Sequence, residues 1–329
     1  MKKQNYKNYQ AKQEFMERIS KLLNGKEDEE KFWEIIRKEP IDSIRCNTLK
    51  IKPEELIKKL EKKGWKIEQP FSKFPEIMIV KQESNLMPGE LGKSVEHLLG
   101  YYYVQEISSM MPVLALDINP HAEEIVLDLC AAPGSKTSQI SAQMQNKGTI
   151  IANDKDIGRI SILATNIERC GCTNIIITRN DAVQLCEKLA NLKMKFDKIL
   201  LDLPCSGEGT LRSSPKTLLM WNLKMISKLG RLQKKIAASA ISLLKPEGTL
   251  VYSTCTHAPE ENEAVVSFLV EKFNMKIEKV NLPLKCREGI TKWEGEKFSS
   301  EIKNCCRIYP QDNNTEGFFV AKLKFKEKK

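Results

Sequence analysis

Two cysteines, each in a loop that follows an apolar strand, are the residues of this chain best suited to do chemistry. Residues 200–209 read Leu-Leu-Asp-Leu-Pro-Cys-Ser-Gly-Glu-Gly, so a β-favouring run ends at Asp202 and leads into Cys205. Cys255 follows another apolar run, at residues 249–253. Ligands bind beyond the carboxyl ends of the strands in open α/β sheets, so we predict a reactive loop here. The alternative, an incidental buried cysteine, stays open because free cysteine often packs as a small hydrophobic residue.

A loop of small residues indicates where a cofactor binds. Residues 130–137 read Cys-Ala-Ala-Pro-Gly-Ser-Lys-Thr, and small side chains let the backbone approach a ligand closely. One glycine makes neither a dinucleotide fingerprint nor a P-loop. Asp154, twenty residues after Gly134, suits hydrogen bonds from ribose hydroxyls, and Asn180 with Asp181 suits an adenine amino group. Each acid alone could be a helix N-cap, but acids at successive strand ends favour an adenosine-type cofactor without a pyrophosphate.

The elements that must position these residues alternate between strands and helices. Strands are predicted at residues 125–129, 149–152, 174–178, 196–202 and 249–253, with a last edge strand at 317–323. Helices are predicted at residues 136–144, 156–169, 182–189, 229–243 and 259–272. This alternation is typical of a parallel sheet with helices on both faces. The residues before it predict a smaller α/β unit, so we expect two domains, residues 1–117 and 118–329.

The distribution of charge indicates a polyanionic substrate. The chain carries 53 Lys and Arg against 43 Asp and Glu, a net charge of +10. Residues 209–246, directly after the Cys205 loop, contain eight basic residues and no acidic one. They are Arg212, Lys216, Lys224, Lys228, Arg231, Lys234, Lys235 and Lys245. The position of this run beside the reactive loop favours nucleic-acid binding over a merely solvated helix face.

Composition argues against several other classes of protein. No apolar run approaches the roughly 20 residues that span a bilayer, and no apolar segment follows the basic N-terminus. We therefore expect a cytoplasmic protein that contacts no membrane. The ten cysteines include no C-x-x-C pair, and the three histidines lie far from them in sequence, so we expect no metal site. In a reducing compartment most of the cysteines would be buried thiols.

Three motifs resemble those of the RNA 5-methylcytosine methyltransferases of the Sun type, and of archaeal-type tRNA members in particular. They are Leu-Asp-Leu-Cys-Ala-Ala-Pro-Gly-Ser-Lys-Thr at 127–137, Asp-Leu-Pro-Cys-Ser-Gly-Glu-Gly at 202–209 and Tyr-Ser-Thr-Cys-Thr at 252–256. Segments at residues 45–50, 103–106 and 317–319 extend the resemblance over nearly the whole chain. Ser135 departs from it, since many members have a second glycine there.

The resemblance implies a Rossmann-like class I methyltransferase fold, with a mostly parallel seven-stranded sheet and a smaller N-terminal α/β domain. We expect this smaller domain to be an RNA-binding or accessory domain. It implies S-adenosylmethionine as cofactor, Cys255 as the nucleophile and Cys205 as its helper. The cofactor-binding residues it implies are Cys130, Ala131, Ala132, Pro133, Gly134, Ser135, Lys136, Asp154, Arg159, Asp181 and Asp202.

The chemistry of cytosine explains why this reaction needs such residues. Cytosine C5 is too poor in electrons to attack a sulfonium methyl group, so a nucleophile must first add to C6, and a thiolate suits that role. Asp202, bonded to the ring N3 and the amino group, would stabilise the adduct. Cys205, or a water that it positions, could assist removal of the C5 proton. A rival assignment exchanges the cysteines, because DNA cytosine methyltransferases attack with the Pro-Cys residue.

We expect a monomer that acts on RNA, tRNA rather than rRNA. An rRNA substrate is one alternative, and a catalytically weak basic RNA-binding scaffold is another. A vestigial scaffold would have lost the motif residues, yet Asp154, Asp181, Asp202, Cys205 and Cys255 are all present. A nicotinamide oxidoreductase would need the glycine-rich fingerprint that this chain lacks.

Overall fold

The computed structural model describes residues 10–81, 83–84, 86–87 and 89–326. Residues 1–9 and 327–329 of the two predicted domains lie outside these ranges. The helices are α1 (Gln13–Leu22), α2 (Lys26–Ile36), α3 (Pro53–Glu61), α4 (Val95–Leu98), α5 (Ile107–Leu116), α6 (Ser135–Gln143), α7 (Ile157–Cys170), α8 (Ala182–Asn191), α9 (Thr217–Met220), α10 (Leu223–Ile241), α11 (Glu263–Phe273) and α12 (Pro310–Asn313). None of these helices is long and apolar enough to cross a membrane.

The strands form one small sheet, one large sheet and a separate hairpin. The strands are β1 (Asp42–Cys46), β2 (Ile67–Glu68), β3 (Ile77–Val80), β4 (Tyr102–Val104), β5 (Ile125–Asp128), β6 (Thr149–Asp154), β7 (Ile175–Arg179), β8 (Phe196–Asp202), β9 (Leu244–Thr254), β10 (Met275–Glu278), β11 (Arg287–Glu288), β12 (Lys292–Trp293), β13 (Glu296–Lys297), β14 (Cys306–Ile308) and β15 (Phe318–Phe325). The small sheet has the order β2-β3-β1-β4 and is antiparallel throughout, and β12 with β13 forms the hairpin.

The large sheet contains the predicted parallel strands. In the order β9-β8-β5-β6-β7, each strand runs parallel to its neighbours. Strand β15 pairs antiparallel with β9, and its other edge is shared by β14 and β10. The strands β7-β6-β5-β8-β9-β15-β10 make seven, the number that the resemblance implied, although β10 was not among the six strands predicted from the sequence. With β14 and β11 the sheet has nine strands in the described residues. The prediction that residues 317–323 form an edge strand is wrong, because β15 has partners on both edges.

Helices cover both faces of the large sheet. Helices α8, α10 and α11 pack on one face, and α5, α6 and α7 pack on the other. Successive residues of a strand point to opposite faces, so Val126 and Leu127 of β5 belong to different buried clusters. Strands buried on both faces read as continuous apolar runs, which is why the sequence pattern predicted them well.

The order of the strands reverses direction between β5 and β8. From β5 the chain moves outward to β6 and β7, and it then crosses to β8 and β9 on the other side. Loops that leave β5 and β8 therefore diverge, and a crevice opens between them at the carboxyl edge. The small-residue loop after β5 and the Cys205 loop after β8 both begin at this crevice.

A buried arginine ties the small sheet to the large one. Arg45 of β1 is 2% exposed, and its guanidinium donates hydrogen bonds to the Ser135 carbonyl at 2.7 Å and Ser138 Oγ at 2.9 Å. It also donates to Gln105 Oε1, and the ring of Tyr103 lies 5.6 Å from the guanidinium carbon. Burial lowers the pKa of Arg45, because these acceptors are uncharged oxygens. The first turn of α6 is thus held by β1.

A disulfide between Cys286 and Cys306 joins the segment before β11 to β14. The sequence analysis expected buried thiols and did not predict this bond, because the spacing of two distant cysteines does not reveal their pairing. The other eight cysteines are free.

Replacing Arg45 by Ala should lower the free energy of unfolding by about 3 kcal/mol, because buried carbonyl, amide and hydroxyl oxygens would lose their donor. Urea unfolding followed by circular dichroism measures the change. Arg37→Ala, at an exposed position after α2, is the matched control and should change the free energy by less than about 0.5 kcal/mol. Equal effects of the two substitutions would show that the guanidinium of Arg45 does not hold the two sheets together.

Candidate active site

Three carboxyl groups end neighbouring strands of the large sheet at the crevice. Asp128 ends β5, Asp154 ends β6 and Asp202 ends β8. Asp128 accepts a hydrogen bond from Thr137 Oγ1 at 2.7 Å, which ties the strand end to α6. Burial raises the pKa of Asp128 to about 7, and the negative charges of Asp202 and Asp154 add to the shift. Asp128 belongs to the motif at residues 127–137, and its sequence context alone predicts no role for it.

The loop between β5 and α6 is built so that its backbone lies close to the strand ends. The Ala131 N–H donates to the carbonyl of Asn153 at 2.7 Å, and Ala131 and Ala132 are buried. Gly134 has φ of 101°, and a Cβ there would lie 2.9 Å from Leu163 Cδ1, so only glycine fits. Helix α6 begins at Ser135, and the first N–H groups of a helix lack partners within it.

Asp154 carries an oxygen that is available to a ligand. Its Oδ1 accepts the N–H of Asp156 at 3.1 Å. Its Oδ2 is buried without a hydrogen bond in the described part of the chain, although the Arg159 guanidinium lies 3.2 Å away as an ion pair. The ion pair is not aligned as a hydrogen bond, so the lone pairs of Oδ2 remain available. Arg159 also donates to the Ala132 carbonyl and so links α7 to the loop.

Asp181 is placed differently from Asp154. Its Oδ1 accepts the N–H groups of Val183 at 3.0 Å and Gln184 at 3.3 Å, so it caps α8, the alternative that the sequence left open. The caps of α7 and α8 are Asp156 and Asp181, whereas Asp154 caps no helix. The strand-end acids, the close loop and the helix N-terminus together fit a ligand with ribose hydroxyls and a charged tail.

The two candidate cysteines meet beyond the ends of β8 and β9. Cys205 Sγ and Cys255 Sγ are 3.2 Å apart, and both thiols are free. The hydrogen bond with Cys255, together with burial, raises the pKa of Cys205 well above its usual range. Cys205 therefore keeps its proton at neutral pH and can donate it in a hydrogen bond to Cys255.

Two glycines allow the loops that carry the cysteines to cross. The Gly209 N–H donates to the Cys255 carbonyl at 2.9 Å, and the Gly317 N–H donates to the Gly209 carbonyl at 2.8 Å. A Cβ on Gly209 would lie 2.3 Å from the Gly317 carbonyl oxygen, and one on Gly317 would lie 2.4 Å from the ring of His257. No side chain fits at either crossing, so the loops after β8 and β9 and the start of β15 converge only with glycine.

A buried acid that the sequence analysis missed fixes the loop around Cys205. Glu261 accepts the N–H of Ser206 and, at 2.8 Å, the side-chain amide of Gln233. Gln233 also donates to the Pro204 carbonyl at 2.9 Å. Burial raises the pKa of Glu261 to about 7. An acid beside the apolar start of a helix was the available signal, but its partners lie far away in sequence.

Cys255 lines a cleft of about 330 Å³ together with Asp202 and Lys136. Lys136 Nζ forms an ion pair with Asp202 Oδ2 at 2.8 Å, and Ser253 Oγ donates to Asp202 Oδ1 at 2.8 Å. Lys136 was predicted to belong to the cofactor loop, and in the structure its ammonium group lies against Asp202. Pockets of this size hold small organic groups. The cleft thus joins a thiol, a carboxylate and an ammonium group.

The basic run after the Cys205 loop is divided between surface and interior. Lys216, Lys224, Lys228, Arg231 and Lys235 are exposed. The assignment of Arg212 to the anion-binding run is wrong, because Arg212 is 1% exposed and donates to main-chain carbonyls of Glu39 and Thr315. Lys245 lies 2.8 Å from Asp197 as an ion pair, and the ammonium of Lys234 lies 5.8 Å from the Phe268 ring.

Known protein families match the residues of both the small and the large sheet. A family model described as 16S rRNA methyltransferase RsmB/F matches residues 115–324, and one described as the N-terminal domain of 16S rRNA methyltransferase RsmF matches residues 12–107. The chain is 42% identical over 309 residues to tRNA (cytosine(49)-C(5))-methyltransferase of Pyrococcus abyssi, covering 94% of each protein.

Two further relatives differ in how much of their own length this chain covers. The chain is 37% identical to ribosomal RNA small subunit methyltransferase F of Vibrio parahaemolyticus, over 94% of this chain and 62% of that protein. The solved structure of NSun6 from Pyrococcus horikoshii with SFG, an analogue of S-adenosylmethionine, has 27% identity and a TM-score of 0.77, covering 96% of this chain and 99% of that one.

Proposed function

The chain belongs to the RsmB/F family of S-adenosylmethionine-dependent RNA methyltransferases, and we propose that it methylates C5 of a cytosine in tRNA at the cleft that Cys255 lines. Family membership confirms the resemblance to the Sun type, the class I methyltransferase fold, the RNA cytosine-5 activity and S-adenosylmethionine as cofactor. The roles of individual residues, the division at residues 117 and 118, a monomeric state and a cytoplasmic location remain our proposals.

The choice of tRNA is supported by the relatives. The Pyrococcus abyssi protein, named for tRNA cytosine 49, matches at 42% identity over 94% of its length. The Vibrio parahaemolyticus protein, named for ribosomal RNA, matches at 37% identity over 62% of its length. The exposed lysines of α10 supply positive charge for a phosphate backbone beside the Cys205 loop.

One observation carries the assignment of the nucleophile. Cys255 lines the cleft with Asp202, and the thiol of Cys205 lies 3.2 Å from the sulfur of Cys255. A protonated Cys205 donates to Cys255 and so stabilises the thiolate that adds to cytosine C6. The same thiol is close enough to take part when the C5 proton leaves and Cys255 is eliminated.

Asp202 and Lys136 orient the base. Lys136 and Ser253 each hold one carboxylate oxygen of Asp202, so this group has a fixed position in the cleft. We propose that the carboxylate of Asp202 accepts a hydrogen bond from the amino group of cytosine. Fixed polar groups need no reorganisation as charge develops on the ring, which is the main source of electrostatic stabilisation in enzymes.

S-adenosylmethionine, when bound, supplies the electrophilic methyl group. We assign the buried Oδ2 of Asp154 to its ribose hydroxyls, because this oxygen has no hydrogen bond within the described ranges. Asp181, Cys130, the loop to Lys136 and Arg159 complete the cofactor-binding set that we propose. These residues would hold the cofactor at the crevice between β5 and β8.

Replacing Cys205 by Ala should let Cys255 attack and the methyl group transfer but should slow elimination, so a covalent protein–RNA adduct accumulates. A denaturing gel of protein mixed with S-adenosylmethionine and a tRNA transcript measures it as a retarded band. The band should be absent in Cys255→Ala and in the double variant. A band from Cys255→Ala and none from Cys205→Ala would make Cys205 the nucleophile.

The same gel tests the substrate. A tRNA transcript and a fragment of 16S rRNA are offered separately to Cys205→Ala, and we expect a band only with tRNA. A band only with the rRNA fragment would overturn the tRNA proposal. Detection of 5-methylcytosine by bisulfite sequencing after reaction with the unaltered protein then identifies the modified position.

Replacing Asp154 by Asn should weaken S-adenosylmethionine binding about 10-fold to 100-fold, because a charged acceptor for ribose hydroxyls is lost. Isothermal titration calorimetry measures the change, and affinity for tRNA should stay the same. Asp156→Asn is the matched control, since Asn caps a helix as well as Asp does. Asp181→Asn likewise keeps its cap, so any loss of affinity there reports contact with the cofactor. An equal loss of tRNA affinity in Asp154→Asn would indicate damage to the fold.

Reversing the charge of Lys224 or Lys228 should reduce tRNA affinity and flatten its dependence on salt. Each lost phosphate contact lowers the slope of log affinity against log salt by about one unit. Lys234→Glu should have less effect than either, since its ammonium packs over Phe268. Filter binding at several salt concentrations gives the slopes, with the exposed Lys279→Glu, after β10, as control. Unchanged slopes for Lys224→Glu and Lys228→Glu would make α10 an ordinary solvated face.

A further inference from the structure

Glu316 lines the same cleft as Cys255 and Asp202, and the mechanism above does not use it. The residue precedes Gly317, whose N–H bonds the carbonyl of Gly209, so its backbone is held beside the cysteine loops. The residue is 4% exposed. Its Oε1 accepts the N–H of Ser213 at 2.7 Å, and its Oε2 is buried with no hydrogen-bond partner among the residues described.

A buried oxygen without a partner is costly, and in a cleft a ligand is the natural partner. Three hydroxyls that line this cleft already donate to main-chain carbonyls. The hydroxyl of Ser43 donates a hydrogen bond to the carbonyl of Gln105 at 2.7 Å. The hydroxyl of Thr210 donates to the carbonyl of Gly207 at 2.9 Å, and the hydroxyl of Ser213 donates to the carbonyl of Thr210 at 3.4 Å. The carboxyl of Glu316 is thus a polar group of the cleft that still has one oxygen without a hydrogen-bond partner among the described residues, and this oxygen can bind a base.

Burial favours the neutral form of Glu316, and its neighbours act on the pKa in both directions. Glu106, at the start of α5, accepts the Glu316 N–H at 3.0 Å and brings a second carboxylate close. Burial raises the pKa of Glu316 to about 7 and the charge of Glu106 adds to the shift, whereas hydrogen bonding from Ser213 and the charge of Arg212 oppose it. Four other titratable groups line the cleft that Glu316 faces: Lys136, Asp202, Asp42 and the thiol of Cys255. Lys136 and Asp202 form an ion pair, so their charges balance.

Resting on the proposed function, we propose that Glu316 is a catalytic residue that, in its protonated form, donates a hydrogen bond from Oε2 to the C2 carbonyl oxygen of the target cytosine. When Cys255 Sγ bonds to C6, the π pair of the C5–C6 bond moves into the ring and negative charge develops on N3 and O2. A donor at O2 binds this state more tightly than the unreacted base. The proton stays on Glu316, and the negative charge on N3 and O2 is lost when the C4–C5 pair forms the bond to the methyl group, because the pair on N3 then re-forms the C4–N3 double bond.

The proposal predicts how the rate depends on pH. An ionised Glu316 would repel the developing charge on O2, so the rate of methylation should fall as pH rises through the titration of this carboxyl. Glu316→Gln keeps the acceptor for Ser213, places an amide N–H where Oε2 stood and does not titrate. It therefore imitates the proposed protonated form at every pH.

The test is single-turnover methylation of tRNA between pH 6 and 9, with S-adenosylmethionine and tRNA both saturating. The unaltered protein should lose rate about 10-fold per pH unit on the alkaline side. Glu316→Gln should keep at least about a third of the maximal rate and lose the alkaline fall. Glu316→Ala should stay about 30-fold below the maximal rate of the unaltered protein, should also lack the alkaline fall and should bind tRNA unchanged, as expected for a lost hydrogen bond to developing charge.

Glu106→Gln is a second variant that acts through the same group. It removes the neighbouring negative charge, so Glu316 should ionise at a lower pH and the alkaline fall should begin earlier without disappearing. Its melting temperature is recorded, because Glu106 also caps α5. The position of the fall on the pH axis, unlike the overall rate, does not depend on how much protein is folded.

Two results would overturn the inference. Loss of activity in Glu316→Gln at every pH, with tRNA and S-adenosylmethionine still bound, would make the ionised carboxylate the active form. An alkaline fall in Glu316→Gln that matches the unaltered protein would show that another group causes it. Either result requires an active unaltered protein, whereas absence of 5-methylcytosine with the unaltered protein would instead refute the proposed function.

Discussion

Two main-chain hydrogen bonds, from Gly209 to Cys255 and from Gly317 to Gly209, hold together the three segments on which the active cleft depends. The first segment follows β8, the second follows β9 and the third precedes β15, and these three strands are neighbours in one sheet. A side chain at either glycine would collide with the next segment. Because backbone contact sets their separation, the sulfur atoms of the cysteine loops approach to 3.2 Å without a covalent bond.

The small N-terminal sheet acts on this cleft through α6. Arg45 of β1 bonds the carbonyl of Ser135, and the next residue, Lys136, forms the ion pair with Asp202. A buried guanidinium that loses its acceptors is strongly destabilising, so the two sheets are held in one arrangement. The small sheet therefore supports the position of a cleft residue in addition to any contact that it makes with RNA.

Burial of carboxyl groups around the cleft is the second theme of the site. The pKa values of Asp128, Glu261 and Glu316 are each raised to about 7, with burial as the largest cause. These groups hold strand ends and loops through hydrogen bonds from Thr137, Ser206 and Ser213. Asp202 differs, because Lys136 balances its charge at 2.8 Å. Carboxyls whose pKa burial raises thus lie near a carboxyl that is paired with an ammonium group.

The sequence by itself determined the fold class, the parallel strands and the loops that carry Asp202, Cys205 and Cys255, because apolar runs, small residues and strand-end acids are local patterns. It could not determine that Lys136 faces Asp202, that Arg212 is buried or that β15 is an interior strand. Those facts depend on which distant segments pack together, and spacing along the chain does not record that. Glu316 was not predicted to be a site residue for the same reason, because an acid followed by a glycine and two phenylalanines forms no distinctive pattern. Only the tertiary structure buries its oxygen beside the cleft without a hydrogen-bond partner among the described residues.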